Sequence, residues 1–181
     1  MTGILQDKLY IEQLNEAISL SEKTEIGKYA PFFSLPNIKG EKITRSSEDF
    51  KKKNLLINFW ASWGDSISNH QSNTELKEIY QKYKKNKHIA MLGISLDMDK
   101  QEWQDAIKRD TLNWEKVCDF GGLNSEVAKQ YAIKQVPSNI LLSADGKILA
   151  KNLKGEQLKK KIEEAVTAAE EKEKQDNKKK K

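Results

Sequence analysis

Apolar and polar positions along this chain switch between a helical and a strand-like period, and the switches mark its elements. Ile4, Ile11, Leu14 and Ile18 fall on one face at helical spacing, interrupted by Asp7 and Lys8. Residues 1–25 therefore predict an amphipathic helix that ends in a polar run, with its apolar face packed on the domain or on a partner. Residues 30–35 predict a short strand, 37–40 a turn and 41–44 a return strand. Leu55 to Phe59 is an unbroken apolar run, as a strand covered on both faces should be. A helix follows over 65–84, with Ile67, Leu76, Ile79, Tyr80 and Tyr83 as its inward positions.

Residues 88–96 predict a second buried strand. After it, Asp97 or Asp99 can cap a helix carrying Trp103, Ala106 and Ile107, because a short carboxylate accepts the free amide hydrogens there. A short strand over 114–118 leads to a helix over 123–132, entered through Asn124 or Ser125. Strands at 138–143 and 148–150 flank a hairpin turn. A last helix starts at Gly155 and buries Leu158, Ile162, Val166 and Ala169 before fraying from Asn177. Strands alternating with helices, closed by a hairpin and a helix, give an α/β sandwich with a mixed sheet. The expected organisation is an N-terminal helix (1–25), one domain (26–171) and a basic, disordered tail (172–181).

Charge changes this picture little. The net charge is +5, but six lysines against Glu173 and Asp176 place four of those charges in residues 172–181. A basic tail is not a basic groove, and aromatics interleaved with arginine are absent, so nucleic acid is not an expected partner. No run of about 18 apolar residues is present, so no membrane span is expected. The first twenty residues lack a basic start followed by an unbroken apolar stretch and do not read as a signal peptide.

Candidate chemistry is sparse. One cysteine, Cys118, forbids an internal disulfide and a cysteine-rich zinc cluster, and His70 and His88 are too few for a histidine-rich metal site. No metal or cofactor is expected. Cys118, at the end of a strand and beside Asp119, reads as a small apolar filler; a reactive thiol is the alternative. Asp65, Ser66, Ser68 and His70 invite comparison with a hydrolase site. Consecutive polar residues at a helix start point in different directions, however, and serve the exposed amides instead.

Four blocks carry a resemblance. They are Gly27-x-x-Ala30-Pro31-x-Phe33-x-Leu35; Phe59-Trp60-Ala61-Ser62-Trp63; Gly93-Ile94-Ser95-Leu96-Asp97 with Trp103 beyond it; and Gln135-Val136-Pro137-Ser138-Asn139-Ile140-Leu141-Leu142 followed by Asp145-Gly146-Lys147-Ile148. In this order they resemble the thioredoxin superfamily, particularly its extracytoplasmic TlpA/ResA-like branch, with the first block also similar to peroxiredoxins. The resemblance implies a thioredoxin-like three-layer sandwich, a mixed central sheet flanked by helices, with the N-terminal helix as an addition. It also implies a cis Val136–Pro137 bond, and a place in the bacterial periplasm or cell envelope, for which the expected leader is not present in this sequence.

In that family a Cys-x-x-Cys follows the second block. Here Gly64, Asp65, Ser66 and Ile67 occupy those places. Disulfide exchange needs a thiolate at a helix start and a second thiol within one turn. Neither glycine nor isoleucine can attack, leave or be oxidised, and Ser68, where a peroxiredoxin-like thiol would stand, has no evident base. The expected function is a redox-inactive domain that binds a protein or peptide through Trp63, Gly64, Val136 and Pro137, where the family's substrate peptide lies. Trp60 and Trp63 lead into this surface; Trp63 as a mere cover for the core is equally open. The alternative is a one-cysteine oxidoreductase or peroxidase using Cys118, and a third possibility is a module that assembles through its N-terminal helix.

Overall fold

The computed structural model describes residues 2–63 and 66–179, and within them all side chains except those of 2–7, 9 and 66–70. Along the chain run α1 (Thr2–Lys23), β1 (Ser34–Pro36), β2 (Lys42–Thr44), β3 (Asn54–Trp60), α2 (Ser66–Tyr83), β4 (Ile89–Ser95) and α3 (Lys100–Arg109). There follow β5 (Glu115–Cys118), a 3-10 turn (Gly122–Asn124), α4 (Glu126–Gln130), β6 (Ser138–Leu142), β7 (Ile148–Lys151) and α5 (Gly155–Lys179).

Five strands form a mixed sheet in the order β5-β4-β3-β6-β7. β3 and β4 run parallel from Asn54↔Ile89 to Trp60↔Ser95, and β5 joins parallel with Ser95↔Cys118. β6 is antiparallel to β3, with Phe59↔Ser138, and β7 is antiparallel to β6. All seven residues of β3 are buried, because the central strand is covered on both faces. Leu56 and Trp60 meet Leu76 and Ile79 of α2, Trp103 of α3 and Ile162 of α5 on one side. Leu55, Ile57 and Phe59 meet Phe33, Phe50, Val127 and Tyr131 on the other. The result is a thioredoxin-like sandwich: α2, α3 and α5, then the sheet, then a layer built of the β1–β2 hairpin and α4.

Several elements differ from expectation for identifiable reasons. The first strand is shorter than 30–35: residues before it run along β7 instead, with the Gly27 amide donating to Ile148 O (2.8 Å) and the Ala30 amide to Gly146 O (2.9 Å). The helix expected over 123–132 is divided, because Ser125 turns the backbone out of the 3-10 turn and caps α4, accepting from the Ala128 amide. Asp99 caps α3 by accepting from the Glu102 amide, whereas Asp97 is withdrawn into the interior. The basic segment expected to be a free tail is helical as far as Lys179. There Glu173 bridges to Lys87 (2.7 Å) and His88 (3.3 Å), which ties the end of α5 to the start of β4.

The N-terminal helix is present, but the described part of its apolar face is open to solvent: Ile11, Leu14 and Ile18, with Tyr10 beside them, are each about half exposed or more. The helix stops at the buried Thr24, whose hydroxyl donates to the carbonyls of Leu20 and Ser21 and accepts from Lys151 Nζ (3.0 Å). Among the described residues no helix is long and apolar enough to cross a membrane.

Candidate functional site

The carboxyl ends of β3, β4 and β5 meet at one residue, Asp97. Its Oδ1 accepts from both the Ser62 amide (2.9 Å) and the Ser62 hydroxyl (2.6 Å), and its Oδ2 accepts from the Ser95 hydroxyl (2.6 Å). The Asp97 amide donates back to Ser95 Oγ at 3.0 Å, and its carbonyl accepts from the Cys118 thiol at 3.6 Å. Asp97 is fully buried and none of these partners is a cation. Three donors from the ends of two strands, β3 and β4, thus compensate a carboxylate taken out of water. The Leu96 amide donates to Trp60 O (2.8 Å), extending the β3–β4 pairing into the turn.

This clamp holds the segment that leaves β3. Trp60 points into the core at 3% exposure, while Trp63, three residues on, is 51% exposed. The Val136–Pro137 bond is cis, as the resemblance implied. Phe59 pairs with Ser138, so Pro137 stands at the carboxyl end of β3, where residues 61–63 depart. The Ser138 hydroxyl donates to Gln135 O (2.7 Å) and fixes the turn before the strand. Val136 and Pro137 are half-buried, and Pro137 faces a cavity of about 220 Å³ between α2 and the start of α5. The structure therefore brings Trp63 and the Val136–Pro137 turn to the same end of the sheet. Gly64 and Asp65 lie outside the described residues, as do the side chains of Ser66, Ile67, Ser68 and His70, although α2 begins at Ser66.

Cys118 is 0% exposed. Burial pushes its thiol up to about 11, reinforced by the nearby carboxylates of Asp97 and Asp119 and only partly offset by the Phe120 amide, which donates to the sulfur at 3.3 Å. It is remote in sequence from the Trp63 turn, yet one carbonyl away from the residue that anchors that turn. The chain alone carried no sign of this, because the link depends on the register between β4 and β5.

Two further residues escaped sequence reasoning. Lys116 is buried, and its Nζ donates to Leu112 O (2.6 Å) and to Trp114 O. Burial lowers its amine to about 7, with Glu115 opposing the shift. Its stem lies against Gly93, where a Cβ would come within 3.1 Å of Lys116 Cγ and 3.2 Å of Trp60 Nε1. Glu75 of α2 lines the cavity at Pro137 and accepts from the Gly155 amide; burial raises its carboxyl above the ordinary range. Among the described residues no cluster of three or more His, Cys, Asp or Glu is placed to hold a metal ion.

Comparison with known proteins agrees with this geometry. A family model described as thioredoxin-like matches residues 52–148. The thiol-disulfide oxidoreductase ResA of Bacillus cereus is 33% identical over 146 residues, covering 81% of this chain and 79% of its own. Among solved structures, the C-terminal domain of a chain assigned as a thiol-disulfide oxidoreductase in Bacteroides thetaiotaomicron is 79% identical. It superposes with a TM-score of 0.79 over 81% of this chain and 99% of that one. A thiol-disulfide oxidoreductase from Bacteroides fragilis is 59% identical, with a TM-score of 0.73 over 76% and 98% of the two chains. The chain belongs to the thioredoxin-like family, as a homologue of the ResA-type thiol-disulfide oxidoreductases in which neither cysteine of the Cys-x-x-Cys motif is present.

Proposed function

We propose that this chain is a thioredoxin-fold domain without dithiol chemistry, kept for binding a protein or peptide at the Trp63 and Val136–Pro137 surface. The observation that carries the reading is the state of its one thiol. Gly64 and Ile67 stand where exchange needs sulfur, and Cys118 is sealed beneath Asp97 with its ionisation suppressed. A thiol protonated at neutral pH and closed to solvent neither attacks a disulfide nor receives a peroxide at a useful rate. A half-exposed indole beside a cis-proline turn, on a turn fixed by a buried carboxylate, supports a recognition surface that functions without turnover.

The proximity of Cys118 to the Trp63 turn is the one observation that favours a one-cysteine oxidoreductase, and the burial of that sulfur opposes it. Nothing in the charge distribution favours nucleic acid over protein as partner. The resemblance supports an envelope location, checked by fractionating the native host with an antibody to the chain.

The binding reading is tested by capturing partners with the wild-type protein and with Trp63→Ala. Loss in the variant of a partner captured reproducibly by the wild type is expected. Identical captures would remove Trp63 from the site.

A further inference from the structure

The cavity beside Pro137 contains a carboxylate oxygen without a partner. Glu75 and Leu76 of α2, Pro137 and Asn139 around the start of β6, and Leu158 of α5 line it, along with Lys154. Its volume, about 220 Å³, is below the roughly 300–1,000 Å³ of pockets that enclose a whole small molecule, and suits a single side chain. The Glu75 carboxylate accepts from the Gly155 amide, yet its Oε1 is closed to solvent and takes no hydrogen bond. A buried oxygen in that state is costly, and folded proteins keep few of them. The terminal torsion of a glutamate is broad, so a small rotation turns this oxygen to a donor in the cavity. Asn139 donates its side-chain amide to Leu153 O (2.8 Å), which leaves its side-chain oxygen as a further acceptor.

The charges around this oxygen favour a cation. The side chains that act on Glu75 are Lys159, which stabilises its ionised form, and Glu78 and Glu156, which oppose it. Lys159 is already shared between those two glutamates, at 3.1 and 3.6 Å. Lys154 also lines the cavity, but it is exposed and is not among the charges that act on Glu75. Even with Lys154 counted, three carboxylates (Glu75, Glu78 and Glu156) stand against two amines. A compact ammonium with three donors suits acceptors on two different elements better than a planar guanidinium does. Pro137 belongs both to this cavity and to the Trp63 and Val136–Pro137 surface, so a polypeptide against that turn lies beside the cavity. We infer that the cavity is a subsite of that surface and takes a lysine side chain of the bound polypeptide, its ammonium paired with Glu75. This rests on the binding reading above and names one residue type of the partner.

The test is an NMR titration of the isotopically labelled full chain, read at the backbone amides of Gly155 and Asn139. Three probes are compared: Nα-acetyl-lysine methylamide, its norleucine counterpart without the amine, and alanine methylamide, which carries only an α-amine. The lysine probe should shift both resonances saturably, and the norleucine probe should not. Glu75→Gln keeps an oxygen for the Gly155 amide, and with it the fold, and should weaken the lysine probe by about fivefold, the scale of a partly exposed ion pair. Glu163→Gln, which alters an exposed carboxylate of α5 outside the cavity, should leave binding unchanged. No saturable shift, equal binding of the norleucine probe, or undiminished binding in Glu75→Gln would overturn the inference. Alanine methylamide binding as tightly as the lysine probe would make a chain's N-terminal amine the occupant and overturn the assignment to lysine. A partner captured by the wild type, lost in Trp63→Ala and retained undiminished by Glu75→Gln would overturn the subsite and leave the binding reading standing.

Discussion

The hydroxyl of Ser62 donates to Asp97 Oδ1 at 2.6 Å, and the amide of the same residue donates to the same oxygen at 2.9 Å. A serine in the Phe-Trp-Ala-Ser-Trp segment is thereby locked to a fully buried carboxylate 35 residues later, and the exposed Trp63 is carried on the locked turn. Hydrogen bonds to a charged group contribute roughly 1.5–3 kcal/mol each, and a buried donor left without its partner forfeits its desolvation as well. Ser62→Ala should lower stability by about 1–2 kcal/mol and Asp97→Ala by about 3 kcal/mol or more in urea unfolding. Acrylamide should quench Trp63 more readily in both variants. Unchanged stability in Asp97→Ala would remove the clamp from the description of the site.

Gly93 should tolerate no side chain. A methyl group there meets the Lys116 stem and the Trp60 ring at 3.1 and 3.2 Å, both held by the core around them. Gly93→Ala is expected to destabilise the fold by about 1–3 kcal/mol, the usual range for overpacking. The check is the midpoint of urea unfolding at constant m-value.

Lys116 gives a pH dependence of definite sign. Its amine is lowered to about 7 in the fold against 10.5 when unfolded, so between those values the unfolded chain binds more protons and stability rises with pH. Below about 7 both states are protonated and the full penalty of the buried cation is present. Lys116→Met removes this contribution: the gain over wild type should be larger at about pH 6 than at about pH 10. At the higher pH the carbonyls of Leu112 and Trp114, left without their donor, count against the variant. An equal effect at both pH values would contradict burial of the amine.

Cys118 has the opposite slope. Its thiol lies near 11 in the fold against 9.0 for a solvated cysteine, so the fold favours the protonated form. That contribution is intact below about pH 9 and is lost between about 9 and 11, at roughly 1.4 kcal/mol per pH unit. Against Cys118→Ser as reference, the wild type should lose stability faster in that window. In the native state at about pH 8, a thiol reagent should label Cys118 slowly and label it at once in denaturant. Fast native labelling would support the one-cysteine oxidoreductase instead.

The scaffold was legible because its signals are local. The apolar run of β3, the Val136–Pro137 turn and the hairpin at Asp145-Gly146 each state their structure within a few residues. The clamp was not legible. Asp97 and Asp99 offer the same carboxylate to the same helix start, and only the packing of β4 decides that one caps α3 while the other turns inward. Lys116 was not legible either, since nothing in its neighbours announces that Leu112 O and Trp114 O will take its amine inside. The α1 face of Ile11, Leu14 and Ile18 was legible as amphipathic, but periodicity says only that a face is apolar and not what covers it.

The central claim, an intact thioredoxin scaffold from which the dithiol reaction has been lost, is tested most directly by insulin reduction. The assay compares wild type, Cys118→Ala and the double variant Gly64→Cys/Ile67→Cys under the same electron donor. Wild type and Cys118→Ala should both match the protein-free rate, while the double variant turns over, because the helix start and the Pro137 turn are already in place. Turnover by the wild type above Cys118→Ala would contradict the claim.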